Sequence, residues 1–251
     1  MNIYGLLKPL MSRFRHRRFV LFKDRLSPTL KDKMLDVGGF PGFWTQQAPI
    51  VSCIECLNIH EVQWEPECAP GHHITMSRGN GCALEMPDQA FDIVFSNSVI
   101  EHVGTWEEQK TFALEARRVG RKLWIQTPAY ECPVEPHYVG FYIHRLPKNW
   151  QLKLIRWCTL WGWLARPKPE QVAHEVRTIR LLKKREMEEL FPDCEILTEK
   201  LFGILPKSYI AIRHSDSRVR LTARNSLPHS SIPPTPARNA PSLSTNPVAE
   251  L

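Results

Sequence analysis

Eight residues, Leu35 to Gly42 (LDVGGFPG), restrict the fold of this chain more than any other segment. An apolar run that reaches an acid and then a glycine-rich turn reads as a strand entering a tight loop. Glycine there lets backbone amides approach a ligand closely, while the Asp36 carboxylate can accept hydrogen bonds from a positively charged or polar group. A nucleotide-type ligand is therefore expected. The dinucleotide fingerprint G-x-G-x-x-G is absent, which disfavours a nucleotide-dependent oxidoreductase and favours another Rossmann-like cofactor.

The rest of the pattern fits that start. Short apolar runs at Met34–Val37, Ile50–Ile59, Ile74–Met76, Phe91–Ser96 and Leu123–Thr127 are each followed by polar or helical material. Between the last two runs, Thr105–Val119 has the spacing of a helix with a charged outer face. Strands alternating with helices predict a parallel, helix-covered sheet whose ligands sit beyond the carboxyl ends of the strands. Residues 1–30 read as one or two short helices broken near Pro9, with Phe14, Phe19, Leu21 and Phe22 among arginines. They would cover the sheet edge with solvated arginines, or else form an amphipathic membrane or targeting segment. Trp150, Leu154, Trp157, Trp161 and Leu164 form a helical stripe over 148–165, expected to pack as core or as a lid. Val176–Leu190 reads as a further helix, and Cys194–Leu197 and Ser208–Ile212 as closing strands. From His214 onward Pro, Ser, Thr, Asn and Arg dominate, which predicts a disordered tail over 214–251. The domain itself spans 31–213, with an acceptor-side insertion at about 128–175.

Charge narrows the partners. Lys and Arg exceed Asp and Glu by seven in residues 1–33 and by two in 214–251, whereas residues 34–213 carry a net −2. A near-neutral centre disfavours a nucleic-acid substrate, because enzymes acting on nucleic acids spread a basic footprint over the binding face. The basic N-terminus and the tryptophan-rich segment suit peripheral contact with an anionic membrane, through residues 1–22 or 150–164. No apolar run approaches the ~18–20 residues that span a bilayer, and arginines interrupt the only candidate signal segment. Seven cysteines read as thiols of a reducing, cytoplasmic compartment. Cys53, Cys56, Cys68 and His72 or His73 have a zinc-like order, but Cys53 and Cys56 lie three apart in a strand, where neighbouring side chains alternate faces. No metal is assigned.

The motifs together resemble the class I S-adenosylmethionine-dependent methyltransferases. In that family an acid precedes x-G-x-G-x-G: Asp36, Gly38 and Gly42 match, and Phe40 stands in the place of the middle glycine. Gly79–Val103 (GNGCALEMPDQAFDIVFSNSVIEHV) resembles the family's stretch from the third strand to a Glu-His pair, with Phe91-Asp92, Ser96-Asn97 and Glu101-His102-Val103 in order. Leu181-Leu182, Glu186–Phe191 and Leu201–Ile212 resemble its closing helix and antiparallel strand pair. The resemblance implies an α/β, Rossmann-like, seven-stranded, mostly parallel sheet with helices on both faces and the last strand antiparallel.

It also implies roles. Asp36, Gly38, Gly39 and Gly42 would hold the aminoacyl and ribose parts of S-adenosyl-L-methionine. Asn58, followed by Glu61, stands where an acid meets the ribose hydroxyls, and Asn80, beside Gly81, stands where an Asp meets the adenine amine. Ser96 would lie at the same cofactor edge. Two amides in place of acids predict weaker cofactor binding than usual, since charge-assisted contributions are lost. Trp124–Tyr138 (WIQTPAYECPVEPHY) follows the fifth strand into the same crevice and resembles a Q-T-P…E-P-H signature of small-molecule or carbohydrate-associated members. Its prolines stiffen a loop offering Glu131, Glu135, His137 and Tyr138. A base is needed only where the acceptor is a hydroxyl or a protonated amine; His137 is the first candidate, His102 the second, with Glu135 as the adjoining acid. The implied activity is methyl transfer to an O or N atom of a small-molecule, saccharide or lipid-linked acceptor. The alternative is a catalytically inactive scaffold of the same fold.

Overall fold

The computed structural model describes residues 3–60 and 73–215, with side chains from Ser12 onward. Glu61, Cys68, His72 and the tail from residue 216 lie outside the described residues. In chain order the elements are α1 (Ile3–Leu26), β1 (Lys33–Val37), α2 (Pro41–Trp44), β2 (Cys53–Asn58), β3 (His73–Arg78), β4 (Phe91–Asn97), a 3-10 turn (Ile100–His102), α3 (Trp106–Val119) and β5 (Gly120–Pro128). There follow β6 (Val134–Glu135), β7 (Gly140–Phe141), α4 (Lys148–Cys158), α5 (Leu160–Ala165), α6 (Pro169–Thr178), α7 (Lys184–Leu190), β8 (Glu195–Leu201) and β9 (Leu205–Arg213).

Seven strands form one sheet in the order β3-β2-β1-β4-β5-β9-β8. β1 to β5 run parallel, and β9 enters antiparallel between β5 and β8. The sequence order reverses between β1 and β4, so their carboxyl ends diverge into the crevice where open α/β sheets bind ligands.

Side-chain alternation divides the core. Leu35, Val37, Leu57, Val94 and Ile125 face α3 and α7 through Phe112, Ala116, Met187 and Leu190. Met34, Ile54, Phe95, Trp124 and Ile212 face the other way, onto Phe19, Phe22 and Leu26 of α1 and Trp44 of α2. Phe22 sits edge-on to Phe95 and Trp124 at 5.2 and 5.5 Å between ring centroids. Each large side chain so buried contributes about 2 kcal/mol. The N-terminal segment thus covers a face of the sheet and not its edge. It is one helix that passes through Pro9 without breaking. A helical proline forfeits one backbone hydrogen bond, and here the buried aromatics Phe19 and Phe22, about three turns further on, hold the rest. Nor are all its arginines solvated: Arg18 bonds Glu199 at 3.1 Å and Gln126 at 3.0 Å.

α3 begins where the sequence places it. The Thr105 hydroxyl accepts from the Glu108 amide at 3.3 Å and the Glu108 carboxylate accepts from the Thr105 amide at 2.7 Å. This reciprocal pair satisfies two otherwise orphaned helix donors. Thr105→Ala is expected to lower stability by about 1 kcal/mol in urea unfolding monitored by circular dichroism.

Two helix expectations are corrected. The 148–165 stripe breaks at Thr159, whose extended backbone pairs with Gly140 and whose hydroxyl caps α5 by accepting from Gly162 at 3.0 Å. The break leaves Trp150 and Trp157 of the stripe, with Trp163, 61–69% exposed, so these are neither core nor packed lid, whereas Leu154 and Trp161 pack as expected against buried Ile155, Tyr138, Val172 and Val176. The segment 176–190 is two helices: α6 starts at Pro169, a residue suited to a first helical turn, and Ile179–Lys183 is extended. Within that stretch Leu182 bridges to Ala129 and accepts from the Tyr130 amide at 2.9 Å, bonds unavailable to a continuous helix. Among the described residues no helix is long and apolar enough to cross a membrane.

Candidate active site

The turn after β1 is built around Asp36. Its carboxylate is buried, accepts from the Trp44 indole N–H at 2.6 Å, and folds beneath the turn. A Cβ on Gly39 would lie 1.8 Å from its Oδ2, so glycine is required there for space. Gly38 is required for conformation as well: φ is +79°, its amide donates to the Leu57 carbonyl at 2.7 Å, and a Cβ would strike Val99. Phe40, at the position of the family's middle glycine, has an extended φ of −126° and a half-exposed ring. Its backbone asks for no glycine, which is why the departure is tolerated. Around Gly42 a Cβ would meet nothing within 4 Å, leaving open space at the turn. Burial raises the Asp36 pKa to about 7, against the opposing hydrogen bond from Trp44. Gly39→Ala is expected to cost about 2 kcal/mol, read as a lowered midpoint in urea unfolding, because backbone or carboxylate must shift in a packed turn.

The remaining cofactor-side candidates lie at neighbouring strand ends. Asn58 ends β2, directly after Leu57, and Asn80 and Gly81 follow β3. Asn80 Oδ1 accepts from the Cys82 amide at 2.9 Å, forming a local turn, and Gly81 is held by space, since a Cβ there would press on Phe112 and Val37. Ser96 is fully buried and donates to the Val37 carbonyl at 3.0 Å, tying the end of β4 to the end of β1. Cys56 packs in the α1-side core, and burial pushes its thiol pKa up, as expected of an apolar structural cysteine.

The second half of the site comes from β4 and β5. The 3-10 turn after β4 carries Glu101 and His102, while the loop after β5 folds into the β6–β7 hairpin and carries Glu135 and His137. That loop is stitched down: Ala129 donates to the Lys207 carbonyl at 3.0 Å and the Tyr209 hydroxyl to Glu131 at 2.6 Å. Glu135 is fully buried, with one carboxylate oxygen 2.5 Å from His137 Nδ1 and the other accepting the Tyr138 amide at 2.7 Å. His137 Nε2 faces His102 Nε2 at 3.1 Å, the two rings meeting edge-on. Burial alone would lower the His137 pKa, but the charge and hydrogen bond of Glu135, with Glu101 and Glu175, raise it above the ordinary value. His102 goes the other way, lowered to about 4 by burial of its inner edge and by His137. Glu101 is buried too. One oxygen accepts from the Thr127 hydroxyl at 2.9 Å, the other has no partner, and burial raises its pKa to about 6.

The three candidates His102, Glu135 and His137 therefore meet in one hydrogen-bonded row, and the turn at Gly38 touches Val99, three residues before His102. Sequence reasoning did not find Trp44 or Thr127 in the site. Trp44 lies eight residues from Asp36, a spacing that no strand or helix period links to it. Thr127 stands in the Q-T-P…E-P-H signature, but nothing in its residue type or spacing gives it a role toward Glu101.

Residues 35–123 match the family described as a methyltransferase domain. No curated protein matches the sequence. Among solved structures, a SAM-dependent methyltransferase from Methanosarcina mazei is similar at 16% identity and TM-score 0.47, covering 76% of this chain and 95% of that one. A putative methyltransferase of Haloferax volcanii, solved with the Trm112 activator, gives 12%, 0.49, 83% and 92%. Phosphoethanolamine N-methyltransferase 2 of Haemonchus contortus, solved with S-adenosyl-L-methionine, gives 15%, 0.47, 83% and 43%. The glycine turn after β1 and the parallel strands β2 and β4 thus lie within the stretch, residues 35–123, that matches the methyltransferase-domain family, set in a seven-stranded sheet with β9 antiparallel.

Proposed function

We propose that the protein transfers a methyl group from S-adenosyl-L-methionine to an O or N atom of a small-molecule, saccharide or lipid-linked acceptor, with a hydroxyl favoured. The observation that carries this reading is the buried Glu135–His137 pair at the carboxyl end of β5, aimed at His102 beside the glycine turn. When bound, the cofactor supplies a sulfonium methyl whose leaving group is already good, so the protein's task is positioning and, for a hydroxyl, proton removal. What supports the turn as the holder of that group is the open space beside Gly42, with the buried Asp36 carboxylate behind Gly39 as an acceptor for the cofactor's amine. Asn58 and Asn80 would flank the ribose and adenine.

Glu135 holds the His137 Nδ1–H, which leaves Nε2 as the nitrogen that takes the acceptor proton. A carboxylate behind the ring makes that nitrogen more basic and fixes its tautomer. Exposed Trp150, Trp157 and Trp163 beside exposed Lys148, Lys153 and Arg156 support a lipid surface as the source of the acceptor. The testing variant is Glu135→Gln, assayed with a panel of hydroxyl and amine acceptors. With the carboxylate, His137 is protonated at higher pH than ordinary, so turnover rises with pH through that raised value. Without it the rise moves to lower pH and the plateau falls about tenfold to a hundredfold. An unchanged pH profile would remove the base assignment.

A further inference from the structure

We propose that Glu101, His102 and His137 form a binding site for a single divalent cation of the zinc class. One ligand atom from each lies within 4.8 Å of the other two. The His102 and His137 Nε2 atoms, 3.1 Å apart, stand close to the separation of about 3.4 Å expected for two nitrogens bound to one tetrahedral zinc at ~2.0–2.1 Å. Behind His137 the buried Glu135 carboxylate takes Nδ1, the arrangement that orients a ligating imidazole and makes it a better donor.

The second, independent observation is Glu101. Its side chain is fully buried, Thr127 occupies one oxygen, and the other has no partner. An N–H···N hydrogen bond between the two rings would account for their spacing but would leave that oxygen orphaned, at a cost of about 1–3 kcal/mol. A cation satisfies all three groups at once. Two imidazoles and one carboxylate select a borderline ion such as Zn²⁺ or Co²⁺ over Mg²⁺ or Ca²⁺, and three protein ligands leave a position open. His102 is exposed, so the ion has a way in from solvent.

The ion and the acceptor proton would compete for the same His137 nitrogen, so cation occupancy and base function exclude one another. This regulatory consequence rests on the proposed methyl transfer; the binding itself does not. The test is calorimetric titration of the full chain, freed of metal by chelator, with zinc chloride and separately with magnesium chloride. The expected result is one equivalent of zinc at micromolar affinity or tighter and no comparable magnesium binding. His102→Ala and Glu101→Gln should each weaken zinc at least tenfold, with circular dichroism confirming the fold; Cys158→Ser, at an exposed thiol, should not. Zinc binding no tighter than millimolar, or affinity unmoved by His102→Ala, would overturn the proposal. Titration of the same preparation with S-adenosyl-L-methionine keeps the readings apart. Cofactor binding without zinc binding defeats the cation site alone, and zinc binding without cofactor binding defeats the methyltransferase reading alone.

Discussion

His137→Ala is expected to lower turnover by about 10²–10³-fold at pH 8 on a hydroxyl acceptor, while cofactor affinity stays within about twofold. The split follows from placement. His137 lies on the β6–β7 hairpin after β5, whereas the turn assigned to the cofactor is built from β1 and α2. Removing the ring takes away the nitrogen that accepts a proton but leaves Asp36, Trp44 and the glycines in place. Full activity in the variant would reduce the histidine to loop support.

The second large effect falls on Asp36 and has two opposite signs. Asp36→Asn should weaken S-adenosyl-L-methionine by about tenfold to a hundredfold, since a charged acceptor for an amine becomes a neutral one. The same change should stabilise the ligand-free protein at pH 8 by on the order of 1–3 kcal/mol. The carboxyl has a folded pKa of about 7 against an ordinary 3.8. The folded state therefore binds the proton more tightly than the unfolded state. That stability is fully present below about pH 4, falls as pH rises to about 7, and is absent above. Asparagine carries no such penalty and still offers an oxygen to the Trp44 indole. Urea unfolding of both proteins at pH 4, 6 and 8 checks this: the difference should open progressively in the variant's favour. A gap that does not change with pH would mean that Asp36 is not the group held back from ionising.

Much of this is legible in the sequence. β1, β4, β5 and α3 fall where apolar runs and helical spacing place them, because each is a local pattern that the tertiary structure does not oppose. Glu135, His137 and His102 could be named from a stiffened loop and a Glu-His pair. What could not be read was the outcome of long-range competition. Thr159 interrupts the tryptophan stripe because Gly140, nineteen residues earlier, offers it a bridge. Ile179–Lys183 stays extended because Ala129 and Tyr130 claim Leu182. The unpartnered oxygen of Glu101 is a statement about what packs around it, which no spacing encodes.

The central claim is that the turn at Asp36 to Gly42 holds S-adenosyl-L-methionine, and calorimetric titration of the purified chain with that compound, and separately with S-adenosylhomocysteine, tests it most directly. Micromolar binding of both, weakened at least tenfold by Asp36→Asn, is the predicted result. No binding of either by a protein shown to be folded would contradict the account and make the chain a scaffold that keeps the fold without the cofactor.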